Sequence, residues 1–128
     1  MKFNVEQNNL YEGLNKVQKA VSTKNTLPIL TGIYIKAVKE KGLHLISTDL
    51  ELGIECWIDA DIEKEGSVVL PANYLVNIVR ELPEEKISFN INLDNYHAEL
   101  SCLTSEFEIN GFDPEEFPQL PEVDIPKK

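Results

Sequence analysis

The chain has 128 residues, of which 42% are hydrophobic, enough for one globular domain that buries roughly two-thirds of its unfolded surface. No segment approaches the ~20 consecutive apolar residues of a membrane span, and the N-terminus has no secretory signal pattern, so we expect neither a membrane protein nor a secreted one. The net charge of −10 argues against simple nucleic-acid binding, but residues 1–25 carry +2 and the remainder −12.

The first elements in chain order are a short strand and a helix. Residues Lys2 to Glu6 alternate between polar and apolar side chains, which is typical of a strand. A helix is predicted after an N-cap at Asn8 or Asn9. Its apolar stripe is Leu10, Leu14, Val17 and Val21, and its opposite face is Glu12, Asn15, Lys16 and Lys19, with Lys24 beyond. On the residues alone, this opposite face is most simply a solvated lysine surface.

A Leu-Pro joint at Leu27 and Pro28 is predicted to prevent this helix from continuing, because a proline disfavours the helical conformation in the residue before it. Three alternating segments follow, and alternation predicts strands with one face in water. These predicted strands are Ile29 to Val38, Leu43 to Ser47, and Glu51 to Ile58. Together they predict an antiparallel meander.

The second half repeats this order. A strand from Gly66 to Leu70 leads to Pro71, which is predicted to open a helix. The apolar stripe of this helix is Leu75, Ile78, Val79 and Leu82, its outward face is Asn73, Asn77 and Arg80, and the strands after it are Ile87 to Leu93, Tyr96 to Cys102 and Phe107 to Ile109. We therefore predict an α+β fold of two strand-helix-strand-strand-strand repeats, with antiparallel sheets and two helices on one face.

The end of the chain is rich in proline. Four prolines fall within the thirteen residues from Pro114 to Pro126, a density that favours a stiff extended connector over a packed element. We therefore expect one domain over residues 1–120, with residues 121–128 as the start of a linker to a second domain.

Few residues point to catalysis or to a metal. Cys56 and Cys102 lack CxxC spacing and are interpreted as buried residues in a reducing, cytoplasmic compartment. The segment from Asp49 to Glu65 contains seven carboxylates and one lysine, a density that a cation site would also have. Alternation, however, spreads these carboxylates along a solvent face and a loop, which favours a solvated acidic surface. His44 and His97 lie in separate predicted strands and are interpreted as ordinary strand residues. The sequence thus predicts no catalytic residue, no metal site and no cofactor.

Six short segments, in order and at matching spacing, carry a resemblance that extends over essentially the whole chain. They are Met1 to Phe3, Thr26 to Leu30, Ser47 to Glu51, Leu70 to Ala72, Arg80 to Pro83 and Glu116 to Pro118. In these segments the chain resembles the N-terminal domain of the bacterial DNA polymerase III beta subunit, the sliding-clamp family.

The resemblance implies a non-catalytic function. Members of this family have three domains of one fold, and two subunits close head to tail into a homodimeric ring around double-stranded DNA. The ring is a processivity factor that tethers the replicative DNA polymerase and is placed on DNA by a clamp loader. This chain would be the first third of such a subunit, without the peptide-binding pocket near the second and third domains.

The resemblance also assigns site residues. The two helices of each clamp domain line the channel, which implies DNA contacts for Lys16, Lys19, Lys24, Asn73, Asn77 and Arg80. Lys24 and Arg80 are the firmest assignments, because this chain has Asn73 and Tyr74 where some clamps carry a basic pair. Phosphate contacts of this kind carry no sequence information and let a ring slide.

The last predicted strand, Glu106 to Asn110, should lie at a sheet edge, and in this family that edge continues the sheet into the partner subunit. Phe107 and Ile109 are the residues expected beneath this contact, although both could instead complete the core of this domain.

Two other functions compete with that of a clamp. A hydrolase using Asp49, Glu51 or Glu55 lacks any visible nucleophile–base spacing. A protein-interaction domain that never contacts nucleic acid is compatible with the negative charge and remains the alternative.

Overall fold

The computed structural model describes residues 1–21 and 28–118. Within these ranges the chain forms nine strands and two α-helices. In chain order they are β1 Lys2–Glu6, α1 Gln7–Val17, β2 Gly32–Val38, β3 Gly42–Thr48, β4 Gly53–Ile58, β5 Asp61–Lys64, β6 Gly66–Pro71, α2 Ala72–Glu81, β7 Lys86–Asn92, β8 His97–Cys102 and β9 Ser105–Asn110. Short 3-10 turns cover Gln18–Ala20, Pro28–Thr31 and Pro114–Glu116.

The strands form two antiparallel sheets. One has five strands in the order β5-β1-β7-β8-β9, and the other has four in the order β4-β3-β2-β6. Each repeat gives its first strand to the sheet of the other repeat, since β1 pairs with β7 and β6 pairs with β2. The predicted α+β fold with antiparallel sheets and two helices is therefore confirmed, and the two repeats exchange strands.

A single large core joins both sheets to both helices. In β7 the side chains alternate strictly between exposed and buried, as a half-buried strand requires. Phe89 of β7 stacks on Phe3 of β1, with ring centroids 4.7 Å apart and an interplanar angle of 17°. This stack packs the first strand of one repeat against the meander of the other.

The two helices contact each other and are held by specific polar bonds. The Gln7 side chain is only 5% exposed, and its Nε2 donates to the carbonyl of Val79 in α2 over 2.7 Å. The Ser47 hydroxyl of β3 donates to the carbonyl of Val17 at the end of α1. Gly13 lets α1 approach the four-stranded sheet, because a Cβ there would lie 2.9 Å from the side chains of Ile58 and Leu45.

The predicted start of the first helix was wrong. Neither Asn8 nor Asn9 is the N-cap: the helix begins at Gln7, and the residue at the N-cap position, Glu6, makes no side-chain capping bond. The strand runs directly into the helix, and the N–H of Gln7, the first helical residue, donates to the carbonyl of Glu85, 3.1 Å away. Pro71 likewise ends β6 and stands at the N-cap of α2 instead of inside its first turn.

The expected strand from Ile29 was also wrong in its first residues. Pro28–Thr31 form a 3-10 turn, in which the Thr31 hydroxyl donates to the carbonyl of Pro28 over 2.7 Å. This turn buries both Ile29 and Leu30 in a second, smaller cluster with Val69. A strand would have placed them on opposite faces.

Two further differences concern the acidic segment after β3. The strand predicted from Glu51 begins only at Gly53, because the Asp49 carboxylate accepts the N–H groups of Glu51 and Leu52 and closes a turn. The short strand β5 was not predicted, since only Ile62 among its four residues is apolar. Among the described residues, no helix is long and apolar enough to cross a membrane.

Replacing Phe3 with alanine tests the strand exchange. The loss of a fully buried ring between β1 and β7 should lower the free energy of unfolding by about 3–5 kcal/mol. Urea denaturation followed by circular dichroism measures this change. Tyr74→Ala is the control, because Tyr74 is 67% exposed and its loss should change stability by less than about 0.5 kcal/mol. Equal effects of the two substitutions would contradict the assigned packing.

Candidate nucleic-acid interface and edge strand

The outward side of α1 carries two of the predicted basic residues. Lys16 lies in the last turn of α1 and Lys19 in the 3-10 turn that continues it, and both are exposed. Leu10 and Leu14, on the other side of the helix, are buried. Lys16 borders a shallow hollow between α1 and β4 that also contains Asp59, so a carboxylate lies in its surroundings.

The outward side of α2 carries the other predicted residues. Asn73, Asn77 and Arg80 are all exposed. Asn77 orients Arg80, because its Oδ1 accepts a 2.9 Å hydrogen bond from the guanidinium Nη2. The Nε atom of Arg80 lies 3.8 Å from a carboxylate oxygen of Glu81, an exposed ion pair that contributes little to stability. The guanidinium therefore keeps donors available for an anion.

Lys24, the remaining predicted DNA contact, lies outside the described residues. The described part of the two helices and of the turn after α1 thus presents three exposed cations, Lys16, Lys19 and Arg80. Positive charge at the C-terminal end of a helix is also favoured by the helix dipole, so their position alone does not require a ligand.

The last strand, β9, lies at the edge of the five-stranded sheet. Within residues 1–21 and 28–118 it pairs only with β8. The chain leaves this edge directly after β9, where Phe112 forms an isolated bridge with Val69 of β6. The outer side of β9 therefore offers backbone N–H and C=O groups to another strand.

The two apolar side chains of β9 differ in burial. Ile109 is 5% exposed and belongs to the main core opposite Ala98. Phe107, opposite Leu100, is half-buried and packs against the rim of that core. Of the two, only Phe107 therefore has substantial surface left for an added strand to cover.

The histidines have acidic partners that the sequence did not predict. His44 Nε2 lies 2.6 Å from Glu55 Oε1, and His97 Nε2 lies 3.3 Å from Glu108 Oε1. Each pair joins neighbouring strands, so only the strand register could have revealed it. His44 also stacks on Trp57, with centroids 4.3 Å apart, and the His97 Nδ1 atom lies 2.9 Å from Asn110 Oδ1.

The two thiols are poor nucleophiles. Burial raises the pKa of the Cys102 thiol, and the negative charge of Glu85 raises it further. Burial also raises the pKa of the Cys56 thiol, although the positive charge of Lys16 opposes the shift. Thiolate is therefore scarce at neutral pH, and both residues are free thiols with a packing role.

Solved structures with the same architecture define its class. A putative DNA polymerase III beta subunit from Eubacterium rectale superposes with a TM-score of 0.91 at 35% identity, covering 97% of this chain and 33% of that chain. A Helicobacter pylori beta clamp, solved with a bound DNA ligase peptide, superposes with a TM-score of 0.88 at 26% identity over 97% of this chain and 34% of that chain. The fold is that of bacterial sliding clamps.

The family follows from the sequence comparison. The model of the DNA polymerase III beta subunit, N-terminal domain, matches residues 1–121. The Beta sliding clamp of Halalkalibacterium halodurans is 36% identical over 129 residues, which cover 94% of this chain and 33% of that protein. The chain belongs to the DNA polymerase III beta subunit family and spans about one third of the length of the relatives it matches.

The thiol environment predicts slow alkylation. With iodoacetamide at pH 7.5, Cys102 should react at least about tenfold more slowly than a free cysteine, because it needs both local opening and deprotonation. Cys56, which is half-buried, should react faster than Cys102. Peptide mass spectrometry over time measures both rates, and urea should equalise them. Rapid modification of Cys102 in the folded chain would contradict its placement.

Proposed function

We propose that this chain is the first domain of a DNA sliding clamp. The full-length subunit acts as a non-catalytic processivity factor: two copies close head to tail into a ring around duplex DNA and tether the replicative polymerase. The family match over residues 1–121 carries this proposal, because the functional assignment follows the family and the matched relatives are themselves clamps.

The helix pair supplies the proposed DNA contacts. Exposed Lys16, Lys19 and Arg80 are long cationic side chains that can reach phosphates, and Lys24 is added to them by the sequence resemblance. Asn73 and Asn77 are exposed amides that can donate to phosphate oxygens or to bridging water. Such contacts are independent of base sequence, which a ring that moves along DNA requires.

The distribution of charge supports one orientation of the domain on DNA. The outer faces of the sheets carry exposed acids, among them Glu99, Glu106 and Glu108, and the chain as a whole has a net charge of −10. Phosphate is repelled from these faces and attracted to the helix side. Because the net charge is negative, retention on DNA depends on ring closure more than on affinity.

The free edge of β9 supplies the proposed subunit contact. Its outer backbone groups, which pair with no other strand of the described chain, can continue the five-stranded sheet into the third domain of a partner subunit. Phe107 would be covered by that contact, whereas Ile109 would support it from within the core of this domain.

Further partners would act through the full-length protein. We assign the replicative polymerase and the clamp loader to the regions beyond this domain, and the cytoplasm as the compartment in which the ring meets the chromosome. That a Helicobacter pylori relative was solved with a DNA ligase peptide supports peptide-mediated recruitment by the ring.

A protein-interaction domain without nucleic-acid contact remains the second candidate. The observation in its favour is the small number of exposed helix cations in the described residues, together with the strongly acidic sheets. Loading of the full-length protein onto nicked circular DNA separates the two functions, because only a clamp is retained on the circle and released when the circle is cut.

Removing the predicted DNA-facing charges should weaken DNA retention by the full-length ring. For Lys24→Ala and Arg80→Ala, the slope of log affinity against log salt should fall by up to about 0.9 per charge removed. Lys36→Ala is a matched control, because Lys36 is an exposed cation on β2. The measurement is binding to duplex DNA across a salt series, with circular dichroism to confirm folding. The same salt slope in all three variants would contradict the assignment.

Truncating Phe107 should open the ring. In the full-length protein, Phe107→Ala should shift the dimer towards monomer by more than it lowers the melting temperature of the isolated domain. The reason is that the phenyl side chain fills a contact that only the dimer completes. Sedimentation velocity over a dilution series measures the dimer constant. An unchanged dimer constant alongside a destabilised domain would make Phe107 a core residue only.

A further inference from the structure

The outer face of the five-stranded sheet holds a cluster of metal-ligating groups. The side-chain ligand atoms of His97, Glu99 and Glu108 all lie within 4.8 Å of one another. Among the described residues, this is the one group of three or more His, Cys, Asp or Glu side chains with such spacing. His97 is half-buried and the two glutamates are exposed, so the cluster is open to solvent.

The strand register places like charges together at this point. Glu99 of β8 lies directly opposite Glu108 of β9, and like charges in such a pair destabilise a sheet. A lysine or arginine could relieve the repulsion, but the third member of the cluster is His97. Lys2 borders the same hollow as these two glutamates, but its Nζ atom pairs with Glu63 at 3.8 Å. A histidine proton or a bound cation would compensate the two carboxylates more directly.

The hydrogen bond to Asn110 selects which ring nitrogen of His97 can bind a cation. The Nδ1 atom lies 2.9 Å from Asn110 Oδ1, and an amide oxygen can only accept, so Nδ1 carries the proton. When the imidazole is neutral, the Nε2 atom then carries a lone pair, and it lies 3.3 Å from Glu108 Oε1. Two acceptors at this distance need a proton or a cation between them, and a metal ion can take the position of the proton.

We propose that His97, Glu99 and Glu108 bind one divalent transition-metal ion, for which zinc is the best fit. Bonds of 2.0–2.2 Å from a tetrahedral zinc place two ligand atoms roughly 3.3–3.5 Å apart, which is the His97–Glu108 separation. An imidazole with two carboxylates suits zinc better than magnesium or calcium, which prefer oxygen alone. Water completes the fourth position.

Asn110 is a positioning residue in this site. A metal-bound histidine usually donates its second N–H to an oxygen acceptor, which fixes the tautomer and the ring orientation. Asn110 lies directly opposite His97 in the strand pair and performs this role from β9. The ion would therefore join β8 to the edge strand β9 through ligands from both.

The first repeat provides an internal comparison. There, His44 of β3 pairs diagonally with Glu55 of β4, as His97 pairs with Glu108, but Ile46 stands opposite Glu55 where the second repeat has Glu99. Trp57, opposite His44, stacks on its ring and replaces the amide acceptor. This pair offers two ligands only, so it should bind zinc far more weakly.

Isothermal titration of the metal-free chain with zinc chloride tests the site. We expect one zinc per chain in the wild type, and at least about tenfold weaker binding in His97→Gln, Glu99→Gln and Glu108→Gln. His44→Gln, the matched control, should bind as the wild type does. Asn110→Ala should weaken binding by roughly tenfold, as loss of an outer hydrogen-bond partner does. Circular dichroism confirms that each variant is folded.

Cobalt(II) gives an independent readout, because a tetrahedral site produces visible absorption bands that an octahedral aquo ion lacks. The wild type should show these bands and His97→Gln should not. Zinc should also raise the melting temperature of the wild type more than that of Glu99→Gln. Equal zinc binding in the wild type and His97→Gln, an equal loss in His44→Gln, or no binding at millimolar zinc would overturn the proposal.

Discussion

Each sheet of this domain depends on a strand that the other repeat supplies. Without β1 the second meander would have only its own three strands. Without β6 the first meander would likewise have only three. The exchange brings both meanders around one core, and it brings the two helices together, where Gln7 bonds across to Val79. The surface formed by the helix pair is therefore a consequence of strand pairing and not of helix propensity.

Alternation and helical periodicity were sufficient to find most of the elements. The strict pattern of β7 and the apolar stripe of α2 are local properties, because burial on one face is encoded every second or every third to fourth residue. Segments with weak local patterns were misassigned. In the Pro28–Thr31 turn the adjacent residues Ile29 and Leu30 are both buried, so their burial does not follow the alternation of a strand. β5 has a single apolar residue among charged ones.

Some features of the candidate sites could likewise be predicted from the sequence, and others could not. The exposure of Lys16, Lys19 and Arg80 could be predicted from the sequence, since each lies opposite an apolar stripe. The strand register could not, because periodicity does not say which residue of one strand faces which residue of the next. The pairing of Glu99 with Glu108, and the difference in burial between Phe107 and Ile109, both depend on that register.

The bond between the Met1 carbonyl and the N–H of Ile91, 2.8 Å long, has a consequence during protein synthesis. The two residues are 90 positions apart. A ribosome adding roughly 5–20 residues per second needs about 5–18 s to make that length, and only then can β1 find β7. Until then β5 is the described strand available to pair with β1, so the edge of β1 that carries Phe3 and Val5 towards β7 stays open in the nascent chain. The charged residues on either side of them, Lys2 and Glu6, are placed to discourage pairing with a neighbouring chain on the same message.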